Sequence, residues 1–137
     1  MTGPSRPPVL HALADAHAYY QGLVDGSWVP DHLNRRNLYP QMRPARLGYA
    51  PAGWDRTLAH LRLLGYADAT VEAAGLARRT SRGRLVDVFR DRLMVPLTNR
   101  DRAVVGFIGR RGPAAGDDVP KYLNSPQTAV FCKREVL

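Results

Sequence analysis

The hydrophobic pattern of this chain changes period once, near Gly75, and that change limits the fold more than any single motif does. Before it, apolar residues recur every three or four positions; after it, they come in short β-rich runs broken by turn residues. From about Pro8 to Leu23, Leu10, Leu13, Ala14, His17 and Tyr20 keep helical spacing, which predicts an amphipathic helix. Ser27 is placed to cap a second helix over Trp28–Arg36, with Asn37 where a left-handed residue would close it. The proline-bearing stretch from Tyr39 predicts a short helical turn, followed by an extended Leu47–Pro51. Trp54–Leu64 predicts a third helix ended by Gly65, and Asp68 caps a fourth that runs to Ala74 and is closed by Gly75.

Beyond that point, Leu76–Arg78 and Arg84–Val86 flank Thr80–Gly83 as a hairpin. Leu93–Leu97 and Ala103–Ile108 form a second one around Thr98–Arg102. Pro96 has no amide hydrogen to give a ladder, so its strand is expected to be an edge, or bulged, at that residue. Gly112–Asp118 reads as a flexible loop. N-terminal helices followed by a small antiparallel sheet of hairpins define an α+β class. Residues 1–7, with Pro4 and Pro7, read as a disordered lead-in, and residues 8–137 as one domain.

Charge is distributed unevenly along this pattern. The formal net charge is +8, and Arg78–Arg134 holds 13 basic against 5 acidic residues, so the rest of the chain sums to zero. A confined excess points to a polyanionic partner more strongly than a diffuse one, although a solubilising face would carry the same count. No apolar run approaches the length of a membrane span or a signal-peptide core, so no membrane role is expected. The single cysteine, Cys132, excludes an internal disulfide and makes a cytoplasmic location the default.

Four places in the basic segment bear candidate chemistry. Arg90 and Arg92 are two residues apart and share one face if the backbone is extended, ready for adjacent phosphates; equally, Asp87 and Asp91 could hold them as surface ion pairs. The glycines of Gly106-Phe107-Ile108-Gly109-Arg110 allow a backbone or ligand to come close, although a strand terminus with a bulge explains them as well. In Pro120–Thr128 a cation (Lys121), a phenol (Tyr122), an amide and two hydroxyls are offered between two prolines. Lys121 could neutralise a phosphate while Tyr122 stacks on a base, or the ring could pack at the edge of the core. Arg35-Arg36 ends a helix, where cations also complement the macrodipole.

Other chemistries are excluded. His11, His17, His32 and His60 have no metal spacing, and one cysteine builds no zinc site. There is no Gly-x-Ser-x-Gly or Walker sequence and no Asp-x-Asp, and the one adjacent acidic pair, Asp117-Asp118, lies in the glycine-bounded loop. The sequence holds no complete active site.

Several segments, in order, resemble the N-terminal subdomain of the catalytic core of bacterial DnaG-type DNA primases. They are His32–Leu38, Leu47–Pro51 with Trp54-Asp55, Ala73–Leu76, Asp87–Leu97, Val105–Arg110 and Pro120–Thr128, together spanning roughly residues 15–134. The run Lys121-Tyr122-Leu123-Asn124-Ser125-Pro126 and the paired-arginine segment are the specific ones. Asn37, Ile108 and Gln127 depart from the usual residues, and the turn Asn99–Arg102 lacks a glycine often found there. The resemblance implies a shallow basic cleft for single-stranded DNA template, RNA primer and nucleotides. It matches Arg90, Arg92, Arg110, Lys121 and Tyr122 to positions lining that cleft, and Arg36 and Lys133 to basic positions near it.

It further implies a metal-bearing Toprim subdomain as partner, in cis or in trans, with the replicative helicase as a further partner. Mg²⁺ or Mn²⁺ would be held by that subdomain and no cofactor by this chain, since the family's zinc ribbon and Toprim carboxylates are not in this sequence. Primer synthesis, the nucleotidyl transfer of a DNA-directed RNA polymerase, is therefore not expected of this chain alone. The alternative is a stand-alone module that binds single-stranded nucleic acid or a Toprim partner in trans without catalysis.

Overall fold

A computed structural model describes residues 6–36 and 46–131. Four helices are present there: α1 (Arg6–Gly22), α2 (Val29–Arg36), α3 (Arg56–Leu63) and α4 (Asp68–Ala73). Six strands accompany them: β1 (Gly48–Ala50), β2 (Ala77–Arg79), β3 (Leu85–Asp87), β4 (Arg92–Thr98), β5 (Val104–Arg111) and β6 (Tyr122–Asn124). β1, β4, β5 and β6 make one antiparallel sheet in that order, and β2–β3 a separate ribbon. The α+β architecture is the expected one. The extended segment at Leu47–Pro51 joins the sheet as an edge strand. The position foreseen for Asn37 lies outside the described residues.

α1 begins at Arg6, because Pro7 and Pro8 fall in the first turn, where no intrahelical acceptor loses a donor. Its buried stripe is Val9, Ala12, Leu13, Ala16 and Tyr20. That differs from the expected face: Ala14 is exposed, and Leu10 and His17 are half-buried. The small residues let the sheet approach so closely that a Cβ on Gly48 would lie 2.5 Å from the Tyr20 Cβ. Tyr20, Met94 and Phe107 share the main core with Leu58 and Val71, on the face of the sheet covered by α1, against which α3 and α4 pack. Val29, Leu47 and Leu93 form a smaller core on the other face, beneath α2. Burial on both faces explains why β4 reads as a continuous apolar run.

Two caps differ from the sequence reading. α3 starts at Arg56, and its cap comes from far along the chain: the buried Asp87 carboxylate accepts from the Thr57 amide (2.9 Å) and the Leu58 amide (3.0 Å). α4 is preceded by Ala67, and Asp68 instead takes two bonds from Arg62, at 2.8 and 2.9 Å. Ser27 does cap, its hydroxyl accepting from the Val29 amide at 3.1 Å. Pro96 pairs with Phe107, and β1 has already ended there, so β4 is locally an edge; the irregularity in register falls at Leu97/Thr98. β5 continues to Arg111, so its glycines do not mark a strand terminus. Gly106 gives room to the Ser125 side chain, and Gly109 to Arg92 and Phe89.

Candidate nucleic-acid interface

The run Arg90-Asp91-Arg92 is not extended throughout: Asp91 has φ +54°. The left-handed residue turns the chain as it enters β4, so the simple alternation expected of Arg90 and Arg92 does not apply. The ion-pair alternative fails too. Asp87 is occupied by α3, and one Asp91 carboxylate oxygen accepts from Trp28 Nε1 (2.9 Å) and the Tyr49 hydroxyl (2.6 Å). Burial, then the bond to Asp91, pushes the Tyr49 phenol up. Arg90 lays its guanidinium 4.0 Å over the Trp54 ring. Arg92, only 5 % exposed, donates to the Gly109 carbonyl (3.2 Å) and the Pro120 carbonyl (3.0 Å).

Register then determines which arginines meet. Arg92 pairs with Arg111, whereas Arg110 pairs with Leu93 and, on its other side, with Tyr122. Cross-strand partners share a face and sequence neighbours do not. Arg92 and Arg111 therefore stand on the α1 side of the sheet at its end, and Arg110 with Tyr122 on the opposite side. The first pair, with Arg78 and Arg90, lines an open cleft of about 740 Å³ whose other wall is the loop through Val119 and Pro120. Among the described residues no carboxylate comes within ion-pairing distance of Arg78, Arg90 or Arg92, and Arg111 meets only the fully exposed Asp117, at 3.6 Å. Burial, and then the charges of Arg111 and Arg90, hold the Arg92 guanidinium below its usual pKa. A cation crowded by cations in a concave site is stabilised when an anion arrives.

Pro120–Thr128 divides between support and display. The Ser125 hydroxyl is buried and accepts from the Phe107 amide at 2.8 Å, while the Thr128 hydroxyl accepts from Val130 and Phe131. Neither hydroxyl is offered outward as the sequence reading supposed; both satisfy backbone amides where β6 has ended. Pro126 packs against Gly75, whose φ of +75° closes α4. What remains displayed is Lys121, Tyr122 and the Asn124 amide, which lines the cleft; Tyr122 is 52 % exposed, with the Lys121 Nζ and the Arg110 guanidinium carbon each 5.8 Å from its ring centroid.

The structure thus places five candidate residues in two groups, Arg90 with Arg92 and Arg110 with Lys121 and Tyr122. Lys133 and the side chain of Arg36 lie outside the described residues. Sequence reasoning missed Arg78, Arg111 and Trp54. Arg111 could have been found only from the register, since Arg110 and Arg111 are equivalent as letters. Among the described residues no group of three or more His, Cys, Asp or Glu could hold a metal ion, so no step through a metal is assigned to them. No described helix is long and apolar enough to cross a membrane.

The fold is that of a primase-core domain. The family described as DNA primase catalytic core, N-terminal domain, matches residues 20–137. The DNA primase of Deinococcus radiodurans is 41 % identical over 109 residues, covering 78 % of this chain and 19 % of that protein. The RNA polymerase domain of Mycobacterium tuberculosis primase DnaG, crystallised with a double-stranded DNA bearing a 6-nucleotide overhang, superposes with a TM-score of 0.82 at 31 % identity. That superposition covers 96 % of this chain and 42 % of the other. A DnaG primase catalytic domain bound to single-stranded DNA gives a TM-score of 0.76 at 30 % identity, over 93 % and 41 %. The chain belongs to the family of the N-terminal domain of the bacterial DnaG primase catalytic core. It spans about a fifth of the length of the curated relatives it matches.

Proposed function

We propose that this domain holds the phosphates of single-stranded template and of primer or nucleotide while RNA primers are made for DNA replication. The observation that carries the reading is the gathering of Arg78, Arg90, Arg92 and Arg111 at one cleft; of the two acids that also line it, Asp91 is committed to Trp28 and Tyr49, and the exposed Asp118 is ion-paired with none of the four among the described residues. Arg110, Lys121 and Tyr122 form a second contact on the other face of the sheet, the cations on phosphate and the ring stacking on a base or packing beneath the strand. By resemblance alone, Arg36 and Lys133 would add further phosphate contacts. Such contacts position a strand without reading its sequence. Ribonucleotide transfer, with Mg²⁺ or Mn²⁺, belongs in this reading to a Toprim subdomain supplied in cis or in trans. The primase relatives solved with DNA support it.

The test is fluorescence anisotropy of a labelled oligothymidylate titrated with the chain at increasing salt. Each phosphate neutralised on a single strand contributes a log–log slope of about −0.7, so occupation of four cations gives roughly −3. A flat salt dependence would overturn the assignment.

A further inference from the structure

The loop that forms the far wall of the cleft, Gly112–Pro120, is pinned at both ends. At its start, Gly112 packs so closely on Trp28 that a Cβ there would lie 3.0 Å from the indole. At its close, the Pro120 carbonyl takes the Arg92 guanidinium at 3.0 Å, and the Lys121 carbonyl takes the Arg111 amide at 2.9 Å. Between the ends lie two tight turns, closed by the Ala115 amide on the Gly112 carbonyl and the Val119 amide on the Gly116 carbonyl. The tip has one polar partner outside the loop among the described residues. Arg111 Nη1 donates to the Val119 carbonyl at 2.7 Å, and Nη2 lies 3.6 Å from an Asp117 carboxylate oxygen. A cleft guanidinium is thus engaged by an anion and a carbonyl of the chain's own loop. Asp118, the next residue, lines the cleft but pairs with none of its arginines.

An exposed ion pair holds little by itself, at most about fivefold in an equilibrium. That weakness makes it exchangeable, because a phosphate meets a guanidinium through two parallel charge-assisted bonds. The half-buried Val119 carbonyl can turn to water once released. We propose that Gly112–Pro120 is an anion-released strap. Asp117 holds the place of a phosphate on Arg111; a phosphate entering the cleft takes Arg111 from both loop partners and frees the tip, while Trp28 and Arg92 keep the ends in place. This rests on the phosphate-holding reading and adds to it a change of conformation on binding. An arriving anion must displace a resident one. A lone anion therefore gains little from Arg111, and a ligand that also brings phosphates to Arg78, Arg90 and Arg92 gains it in full.

The test is hydrogen–deuterium exchange of the full chain, with and without oligothymidylate or inorganic triphosphate, beside affinities from anisotropy. A ligand that only covers the cleft slows exchange in the loop; release of the strap speeds it, since the Ala115 and Val119 amides lose their turns. Faster exchange is expected with oligothymidylate, and whether triphosphate also produces it tells a strand's phosphates from a nucleotide's. Asp117→Asn should bind oligothymidylate about two- to fivefold tighter at low salt, with the gain fading as salt rises and the thermal midpoint unchanged. Asp118→Asn removes the same charge from the same loop without touching Arg111, and should gain less. Equal gains in the two variants, or slower exchange of the loop in a chain that binds with a steep salt dependence, would sink the strap and leave the phosphate reading intact. Absence of binding to oligothymidylate at low salt would remove both.

Discussion

Asp87 shows how much a single residue can decide in this fold. The sequence offered it as a surface partner for arginines; the structure buries it beneath α3, where two amide hydrogens meet its carboxylate. Replacing it with Ala removes both acceptors and leaves two buried donors unsatisfied, which should cost about 2–3 kcal/mol in a urea titration. Burial pushes its carboxyl up to about 6 from 3.8, against the lowering effect of the Thr57 and Leu58 amides. The folded chain therefore binds more protons than the unfolded one between these values. The contribution of this group to stability is greatest below about pH 3.8 and falls as the pH rises through 6. Urea midpoints measured at pH 4.5 and 7 should show that fall in the wild type, and Asp87→Asn should remove its part of it. An increase with pH that disappears in Asp87→Asn would show the sign to be wrong.

At the scale of elements, the β4–β5 hairpin carries the largest share of the site and two testable strains. Its turn is closed by the Asn99 side chain, which accepts from the Asp101 and Ala103 amides, and Arg102 is left at φ +63°. Arg102→Gly should relieve that conformation and raise stability by up to about 1 kcal/mol in thermal unfolding. Gly109→Ala should do the reverse, because a Cβ there would lie 2.9 Å from both Arg92 Cδ and Phe89 Cδ1. A loss of about 1–3 kcal/mol, with weaker oligonucleotide binding as Arg92 is displaced, is expected from such overpacking.

The existence of this hairpin and of all four helices is legible from periodicity and turn chemistry. The remainder is not, for physical reasons. The cap on α3 lies 30 residues from the amide it serves, and no local pattern announces it. Which of Arg110 and Arg111 enters the cleft depends on the register, and a slip by one residue would exchange them. The hydroxyls of Ser125 and Thr128 look like ligand groups until the end of β6 is known, since only then do the amides of Phe107, Val130 and Phe131 require side-chain acceptors.

At the scale of the whole molecule, the sheet separates the basic residues into a cleft group and a Tyr122 group on opposite faces. A strand that touches both must pass around the sheet's end. Arg78 tests the cleft group cleanly: it is exposed, lies on the separate β2–β3 ribbon and is in no ion pair among the described residues. Arg78→Ala should reduce the salt slope by about 0.7 with the thermal midpoint unchanged. An unchanged slope would place the bound strand elsewhere.

Arg92 cannot be used in that way, because its guanidinium ties the Gly109 carbonyl to the Pro120 carbonyl. The same group is thus a fastener of the loop and a charge in the cleft, and these two duties differ in how they tolerate change. Descendants of this sequence could tighten or loosen their grip on a polyanion by drifting at Arg78, where nothing structural is lost. A change at Arg92 would unfasten one wall of the cleft in the same step, so the path of gradual adjustment runs around that residue.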